Sequence, residues 1–357
     1  MRFLLAGGGT GGHVNPLLAL AQLLRAENHE VLALGTKDGL EARLVPERGF
    51  QLLTVARLPL PRKPTISALA FPFRLVAEVF RTLGYIRKHK IDAVVGFGGY
   101  ASPPAYLAAF LARKPIVVHE ANAIAGFANK LGARLGGKVA IAFPNSNLQG
   151  TLTGMPIRQE IVDSIAEYDK GQARVELGLD PVLPTLLVTG GSLGARRINE
   201  TIIESLDQLR AAGIQTLHIV GDRANLNEVS EPGYVRMNYC TRMDAAIAAA
   251  NLAVSRAGAS TVSEFAAAGL PAVFVPYPVG NGEQRLNAVN VSEAGGALIV
   301  VDADFTPDYV AEKVIPILSH ASTMKSMAKA SKSVGIPDAT QLLRDLVMQT
   351  VDTRARD

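Results

Sequence analysis

The chain has 357 residues, a single cysteine and a net charge of +4. It is longer than the size at which one hydrophobic core usually stops growing, so two domains are expected. One cysteine excludes an intrachain disulfide and a cysteine-based zinc site. The N-terminus lacks a secretory signal pattern, and no run of about 18 uncharged apolar residues could span a bilayer. We expect a cytoplasmic or peripheral protein.

Charge is divided unequally along the chain. Residues 1–157 contain 18 Lys and Arg against 8 Asp and Glu, whereas residues 158–357 contain 18 against 24. A basic first half predicts contact with an anionic surface, although an uneven but solvated surface is an alternative. We expect a membrane face rather than nucleic acid, because the sequence has no RNA-binding motif or stacking arrangement.

Short apolar runs alternate with longer amphipathic segments, which is typical of a parallel α/β sheet. The pattern lapses in a polar segment around Gly150, Gly154 and Pro156 and then resumes. We therefore predict two Rossmann-like doubly wound α/β domains facing across a cleft, 1–157 and 158–337. The C-terminal helix and tail, 338–357, are expected to pack back near the N-terminal domain. The apolar runs lie at residues 3–6, 31–34, 93–95, 116–118, 139–142, 186–188, 218–220, 252–255, 272–275 and 298–301.

Three of these runs lead into glycine-rich turns, at residues 7–13, 96–103 and 189–196. Such a turn presents bare backbone N–H groups at the positive end of a helix dipole, where phosphate binds. The first turn matches the dinucleotide motif G-x-G-x-x-G by letter. However, a dinucleotide site needs an acidic residue at the end of the next strand, and here the apolar run 31–34 is followed by Gly35 and Thr36. A Walker loop is not predicted either, because no glycine turn continues into Lys-Ser or Lys-Thr. We expect a phosphate-bearing ligand, and neither NAD nor ATP as a cofactor.

Polar residues follow two of the predicted strands in the first half. His13 lies at the predicted start of a helix, where a neutral imidazole could accept a proton from an attacking hydroxyl. The alternative is a helix-start imidazole without a catalytic role. Glu120 and Asn122 lie at the carboxyl end of a strand, where open sheets bind ligands, and Glu120 is the weaker candidate base. Asn122 could instead cap the next helix.

The second half contains two candidate sugar- or ribose-binding positions. The Glu264 carboxylate could accept hydrogen bonds from two ribose hydroxyls, although Thr261 to Glu264 also matches a helix capping box. Gln284 is predicted to share a helix face with Glu283 and Asn287, and this face could bind sugar hydroxyls.

Metal binding is not expected. The six histidines have no ligand spacing. Asp302 and Asp304 match the Asp-x-Asp motif of metal-dependent sugar-nucleotide transferases by letter. They precede Thr306 and Pro307, which predict a helix start instead.

Residues 57–90 combine eight Lys and Arg with many apolar side chains and one acid, Glu78. After Pro72, an apolar helical stripe with flanking arginines is formed by residues 73, 76, 77, 80, 83 and 84. A core-facing helix would explain part of this stripe. We expect residues 57–90 to bind the anionic cytoplasmic face of a membrane.

Seven motifs occur in order over nearly the whole chain: GGGTGGHVNP, GFGGYASPP, HEAN, GMPIR, TGGSLGAR, ASTVSEFAAAGLP and GEQRLNA. Together they resemble the MurG family of bacterial peptidoglycan N-acetylglucosaminyltransferases. The resemblance implies a GT-B fold and a peripheral protein at the cytoplasmic face of the cell membrane. It also implies inverting transfer from UDP-N-acetylglucosamine to the C4 hydroxyl of lipid I, undecaprenyl-diphospho-muramoyl-pentapeptide, which makes lipid II.

The resemblance also implies residue roles. His13 would lie at the reacting centre, Arg158 and Ser192 would hold the donor diphosphate, and Glu264 would bind the ribose. The turn 96–103 is expected on the acceptor side. Ala121 and Glu283 depart from the commoner glutamines of the family. The other implied donor contacts are Thr10, Gly11, Gly12, Asn122, Gly191, Cys240, Ala259, Ser260, Thr261, Val262, Ser263 and Gln284, and the implied acceptor-side residues are Gly98, Gly99 and Tyr100.

Two rivals stay open at this point. One is a different enzyme, either another UDP-sugar GT-B transferase or a UDP-sugar epimerase. The other is a nucleotide-binding membrane adaptor without activity.

Overall fold

The computed structural model describes residues 1–59, 66–191 and 194–356. The chain forms two compact units. Unit 1 comprises Met1–Arg158 together with the segment from Asp338 to the C-terminus, and unit 2 comprises Gln159–Pro337. Within the described ranges, no helix is long and apolar enough to cross a membrane.

Unit 1 contains a seven-stranded parallel sheet with the strand order β3-β2-β1-β4-β5-β6-β7. The strands are β1 (Arg2–Ala6), β2 (Glu30–Thr36), β3 (Gln51–Val55), β4 (Ala93–Gly96), β5 (Ile116–Glu120), β6 (Lys138–Ile141) and β7 (Thr151–Leu152). The helices that connect them are α1 (Gly11–Ala26), α2 (Glu41–Glu47), α3 (Ile66–Lys88), α4 (Ser102–Leu111) and α5 (Phe127–Arg134). Strand β7 lies in the polar segment where the apolar pattern lapses. A two-residue strand is too short to produce such a pattern.

Unit 2 repeats this plan with the order β10-β11-β9-β8-β12-β13-β14, in which only the pair β10 and β11 is antiparallel. Its strands are β8 (Thr185–Thr189), β9 (Gln215–Ile219), β10 (Val229–Glu231), β11 (Tyr234–Met237), β12 (Leu252–Ser255), β13 (Ala272–Phe274) and β14 (Ala297–Ile299). Its helices are α6 (Gln159–Glu167), α7 (Lys170–Glu176), α8 (Arg196–Glu204), α9 (Leu206–Ala211), α10 (Met243–Ala249), α11 (Ala259–Ala268), α12 (Glu283–Glu293), α13 (Pro307–Tyr309), α14 (Ile315–Ser319) and α15 (Ala321–Ser333), and a π-helical turn (Val310–Val314) joins α13 to α14. The prediction of two Rossmann-like doubly wound units is confirmed.

The last helix, α16 (Ala339–Arg356), belongs to unit 1 rather than to unit 2. Its Leu343 and Val347 are fully buried in a core layer with α1 and one face of the sheet. The other face of the sheet packs against α3 and α4. Because strand side chains alternate between faces, Leu4 and Leu5 lie in different layers.

Candidate functional site

The first glycine turn of unit 1 places His13 in the first turn of α1, which begins at Gly11 after Thr10. His13 Nδ1 lies 2.9 Å from the carbonyl oxygen of Gly8 and 3.5 Å from Thr10 Oγ1. A carbonyl can only accept a hydrogen bond, so Nδ1 carries the proton of the neutral ring. The lone pair is therefore on Nε2, which is the atom that could accept a proton from a substrate.

The turn after β4 lies against the first glycine turn. Gly98 and Gly99 both have positive φ, and a Cβ on Gly98 would lie 3.0 Å from His13 Nε2. A Cβ on Gly99 would lie 2.4 Å from the Gly8 carbonyl oxygen, a steric clash that only glycine avoids at this position. Tyr100 follows, with its ring centroid 5.0 Å from the Arg57 guanidinium. The structure thus brings Gly98, Gly99 and His13 together at the carboxyl edge of the sheet.

Glu120 ends β5 and is almost completely buried. Its carboxylate accepts hydrogen bonds from the backbone N–H of Asn122 and of Gly126 and from Asn129 Nδ2, over 2.9 to 3.1 Å. Burial raises the pKa of Glu120, and these donors oppose that shift. The carboxylate therefore holds the loop 122–126 in place. The interpretation of Asn122 as a helix cap is wrong, because α5 begins after Gly126 without a side-chain cap.

His119, next to Glu120 on β5, is fully buried, and its Nε2 lies 3.2 Å from the carbonyl oxygen of Gly154. Burial lowers the pKa of His119 to about 4. The ring is therefore neutral at physiological pH.

Helix α3 carries two different apolar faces. Val79, Leu83 and Ile86 are buried in the core, whereas Phe73 and Phe80 are 79% and 63% exposed. The predicted stripe is therefore solvent-facing at 73, 76, 77, 80 and 84 and buried at 83. Core packing does not account for the exposed residues. Arg62 and Lys63 lie outside the described residues.

In unit 2, the glycine turn after β8 opens on a cleft of about 850 Å³ at the carboxyl edge of the sheet. Three arginines lie around it together with two acids. The turn itself contributes Gly190, Gly191 and Gly194, and α8 begins directly after it. Of the predicted donor contacts, this cleft contains Gly191 and Gln284. Its remaining lining residues are Ala195, Arg196, Arg197, Glu200, Arg256, Tyr277, Pro278, Val279 and Asp302.

Arg256 was not singled out from the sequence, yet it lines this cleft. It directly follows β12, and its Nη1 donates to Asp302 Oδ1 over 2.5 Å and to the carbonyl oxygens of Val275 and Pro276. Its guanidinium also lies 5.6 Å from the ring centroid of Tyr277. A basic residue directly after a predicted strand was the signal that could have identified it.

Gln284 lies in the first turn of α12, and its Oε1 accepts a hydrogen bond from Tyr277 N over 2.9 Å. The contact fixes the orientation of the amide, so that its nitrogen is the end left to donate. Asn287, by contrast, is buried and donates to the carbonyl oxygen of Ala257. Asn287 therefore ties α12 to the segment that joins β12 to α11.

Residues Ala259 to Glu264 form the first turns of α11, whose N-cap is Gly258. The capping-box interpretation of Thr261 and Glu264 is wrong, because the helix begins two residues before Thr261 and has no side-chain cap. Glu264 is buried, and the Ser260 hydroxyl is buried with no hydrogen-bond partner in the described part of the chain. Ala259 and Val262 are buried, and Ser263 is half-buried.

The other predicted donor contacts are dispersed. Cys240 is buried shortly after β11, and Arg158 is the half-buried last residue of the first segment of unit 1. Ser192 lies outside the described residues. Gly12 is half-buried beside the exposed Thr10.

Asp302 and Asp304 form a short 3₁₀ turn, and Thr306 caps α13. Asp302 is paired with Arg256. Within residues 1–59, 66–191 and 194–356, no group of three or more His, Cys, Asp or Glu could hold a metal ion.

Two family models match the chain. The glycosyltransferase family 28 N-terminal domain matches residues 3–141, and the family 28 C-terminal domain matches residues 185–343. The solved structure of MurG from Acinetobacter baumannii is 29% identical, with a TM-score of 0.78 over 98% of this chain and 99% of that one. The glycotransferase of kitacinnamycin is 17% identical with a TM-score of 0.72 and shares the fold.

Curated relatives match over nearly their full length. The UDP-N-acetylglucosamine--N-acetylmuramyl-(pentapeptide) pyrophosphoryl-undecaprenol N-acetylglucosamine transferase of Clavibacter sepedonicus is 50% identical over 99% of this chain and 97% of its own. The Streptomyces coelicolor protein of the same name is 48% identical over the whole of both chains. The predicted GT-B fold and the resemblance are confirmed. The chain belongs to glycosyltransferase family 28 and, within it, to the MurG family.

Proposed function

We propose that the chain transfers N-acetylglucosamine, with inversion, from UDP-N-acetylglucosamine to the C4 hydroxyl of muramoyl-pentapeptide lipid I and so forms lipid II. The observation that carries the proposal is the 50% identity with a transferase of that name over nearly the whole of both chains. The geometry of each unit supports it.

The cleft of unit 2 suits a nucleotide-sugar donor. Its volume of about 850 Å³ falls in the range of small-molecule sites. The glycine turn, the start of α8 and Arg256 supply backbone N–H groups and positive charge toward a diphosphate. Gln284 supplies an oriented amide for the transferred sugar. As the sugar leaves UDP, these groups stabilise the charge that develops on the diphosphate, with Arg158 as a further expected contact.

Unit 1 supplies the base. His13 Nε2 accepts the proton of the muramoyl C4 hydroxyl, and the hydroxyl oxygen forms the new bond to the anomeric carbon. The bond from that carbon to the diphosphate oxygen breaks, and UDP leaves with the electron pair. Glu120 is less suited to this role, because three donors already occupy its carboxylate. The glycine turns beside His13, including Gly98 and Gly99, are proposed to receive the acceptor diphosphate.

The test is UDP release from UDP-N-acetylglucosamine, measured with and without a lipid I analogue. The proposal expects release only when the analogue is present. Turnover of UDP-N-acetylglucosamine without the analogue would indicate an epimerase or another transferase, and binding without release would indicate an adaptor. Either result would contradict the proposal.

We also propose that unit 1 docks on the anionic cytoplasmic face of the membrane, where lipid I is anchored. The support is the solvent-facing side of α3, on which Leu69, Phe73, Val76 and Phe80 are 52% to 79% exposed. Arg74 and Arg81 lie exposed on the same helix. Apolar side chains flanked by basic ones are typical of interfacial helices.

Replacing Phe73 and Phe80 by serine should weaken binding to vesicles that contain phosphatidylglycerol, because the replacement removes the apolar surface that would enter the lipid. Binding is measured by vesicle sedimentation. Neutralising Arg62, Lys63, Arg74 and Arg81 together should also weaken binding and should make the remaining binding less sensitive to salt, because the attraction that salt screens is removed. Val182→Ser, at an 80% exposed position of unit 2, is the control. Unchanged vesicle binding in both sets of variants would exclude this surface.

A further inference from the structure

We infer that Glu41 positions His13 through a single peptide group, so that unit 1 contains a carboxylate–peptide–imidazole relay. The inference rests on the proposed role of His13 as the base. The peptide that joins Gly8 to Gly9 donates its N–H to Glu41 Oε2 over 2.8 Å. The carbonyl oxygen of the same peptide accepts from His13 Nδ1 over 2.9 Å. Because the peptide is planar, fixing one end fixes the other.

The position of the Glu41 carboxylate is itself fixed. Glu41 is the first residue of α2 and is fully buried. Its Oε1 accepts hydrogen bonds from the N–H and the hydroxyl of Thr36, both over 2.8 Å. A Cβ on Gly8, Gly35 or Gly39 would lie 2.1 to 2.4 Å from Glu41 side-chain atoms. Three glycines therefore leave the space that this carboxylate occupies.

The carboxylate is charged at neutral pH. Burial alone would raise the pKa of Glu41, but the hydrogen bonds from Gly9, from Thr36 and from its own backbone lower the pKa below the ordinary 4.5. A hydrogen bond to an ionised acceptor is stronger than a neutral one and polarises the peptide that donates it. The Gly8 carbonyl thereby becomes a better acceptor for the Nδ1 proton of His13.

The consequence for His13 is a fixed tautomer and a fixed ring orientation. In Ser-His-Asp triads a carboxylate does this by binding the imidazole directly. Here the peptide transmits the effect, and the close approach of Gly99 to the Gly8 carbonyl leaves the peptide little room to rotate. Glu41 is thus a positioning residue, and Nε2 of His13 keeps the lone pair.

The test is Glu41→Gln in the full-length protein. The donors of Gly9 and Thr36 now bind two carboxylate oxygens, whereas a glutamine amide offers only one oxygen. Its NH₂ group must therefore face one of these backbone N–H groups. The tautomer of His13 is measured by ¹⁵N NMR of histidine-labelled protein, and kcat and KM are measured in the UDP-release assay. We expect the Nδ1–H tautomer to lose its dominance and kcat to fall about 10- to 100-fold, as for other residues that orient a functional histidine. The KM for UDP-N-acetylglucosamine should stay unchanged.

One variant serves as the control. Glu47→Gln removes an exposed carboxylate from the same helix, where its partner is Arg43. It should keep the tautomer and kcat of the unaltered chain. If Glu41→Gln does not fold, Glu41→Asp keeps the charge but draws it one methylene away from Gly9, and we expect the same loss of tautomer preference.

The outcomes separate the two proposals. An unchanged His13 spectrum in the folded Glu41 variants would overturn the relay. A changed tautomer with unchanged kcat would leave the relay standing and remove His13 as the base.

Discussion

The glycine turns after β1 and after β8 occupy equivalent places in the two sheets, yet their surroundings differ. In unit 1 the turn is enclosed by the Glu41 carboxylate, the His13 imidazole and the turn that contains Gly99. In unit 2 Gly194 packs against the carbonyl oxygen of Val220, and the turn opens on a cleft that contains three arginines. In the proposed mechanism the first turn holds the base beside the acceptor diphosphate, and the turn after β8 binds the donor diphosphate.

From this difference we expect separate kinetic effects for changes in the two units. A change beside the first turn should alter the chemical step, whereas a change beside the second should alter donor binding.

The largest effect is expected for His13→Ala. Loss of a general base lowers kcat by about 10²- to 10⁴-fold, and the donor KM should stay nearly constant because unit 2 is intact. Steady-state UDP release measures both constants, and His320→Ala, at an exposed position of unit 2, is the matched control. An unchanged kcat would contradict the proposal that the first turn acts in the chemical step.

A smaller effect, on the donor KM rather than on kcat, is expected for Arg256→Ala. The change removes a positive charge from the cleft and leaves Asp302 unpaired near the donor diphosphate. Hydrogen bonds to charged groups contribute about 1.5 to 3 kcal/mol, so the donor KM should rise about 10- to 100-fold while kcat changes little.

The double variant Arg256→Ala/Asp302→Asn should recover part of this donor affinity, because it removes the unpaired carboxylate. Arg285→Ala, at an exposed position of α12, is the control. A loss confined to kcat would show that Arg256 acts on the chemical step instead.

The smallest difference between the units is expected in how the free energy of unfolding depends on acidic pH. Burial lowers the pKa of His119 in unit 1 to about 4 and that of His218 in unit 2 to about 3. In the unfolded chain these histidines become protonated below about pH 6.5, whereas in the folded chain they stay neutral. Their contribution to the free energy of unfolding is therefore fully present above about pH 6.5 and decreases as the pH is lowered further. At pH 5 each histidine should reduce the free energy of unfolding by about 2 kcal/mol relative to pH 7.

Urea unfolding at pH 7, 5 and 3.5 measures this loss, and hydrogen exchange separates the units. His218→Gln should flatten the pH dependence of unit 2, and the loss due to His218 should continue below pH 4, where that due to His119 has levelled off. A pH dependence that persists in His218→Gln would contradict a buried neutral histidine at this position.

The sequence predicted the central strands because strands that are buried on both faces are continuous apolar runs. It missed the sheet-edge strands β3, β7 and β10, which are short or bounded by polar residues. It also missed β11, a four-residue strand beside β10 that contains Arg236. The two capping interpretations failed because α5 and α11 begin after glycines. Glu41 could not be predicted, since it binds backbone atoms 32 positions away and such a contact leaves no residue pattern.

The return of α16 to unit 1 sets the order in which the chain can be completed during synthesis. Leu343 and Val347 fill the core layer beside α1, so this layer stays open until α16 has been synthesised. Unit 2 is continuous in sequence and can close earlier. Unit 1 is therefore completed after unit 2, and a truncation directly after residue 337 would expose apolar core surface in unit 1 while leaving unit 2 whole.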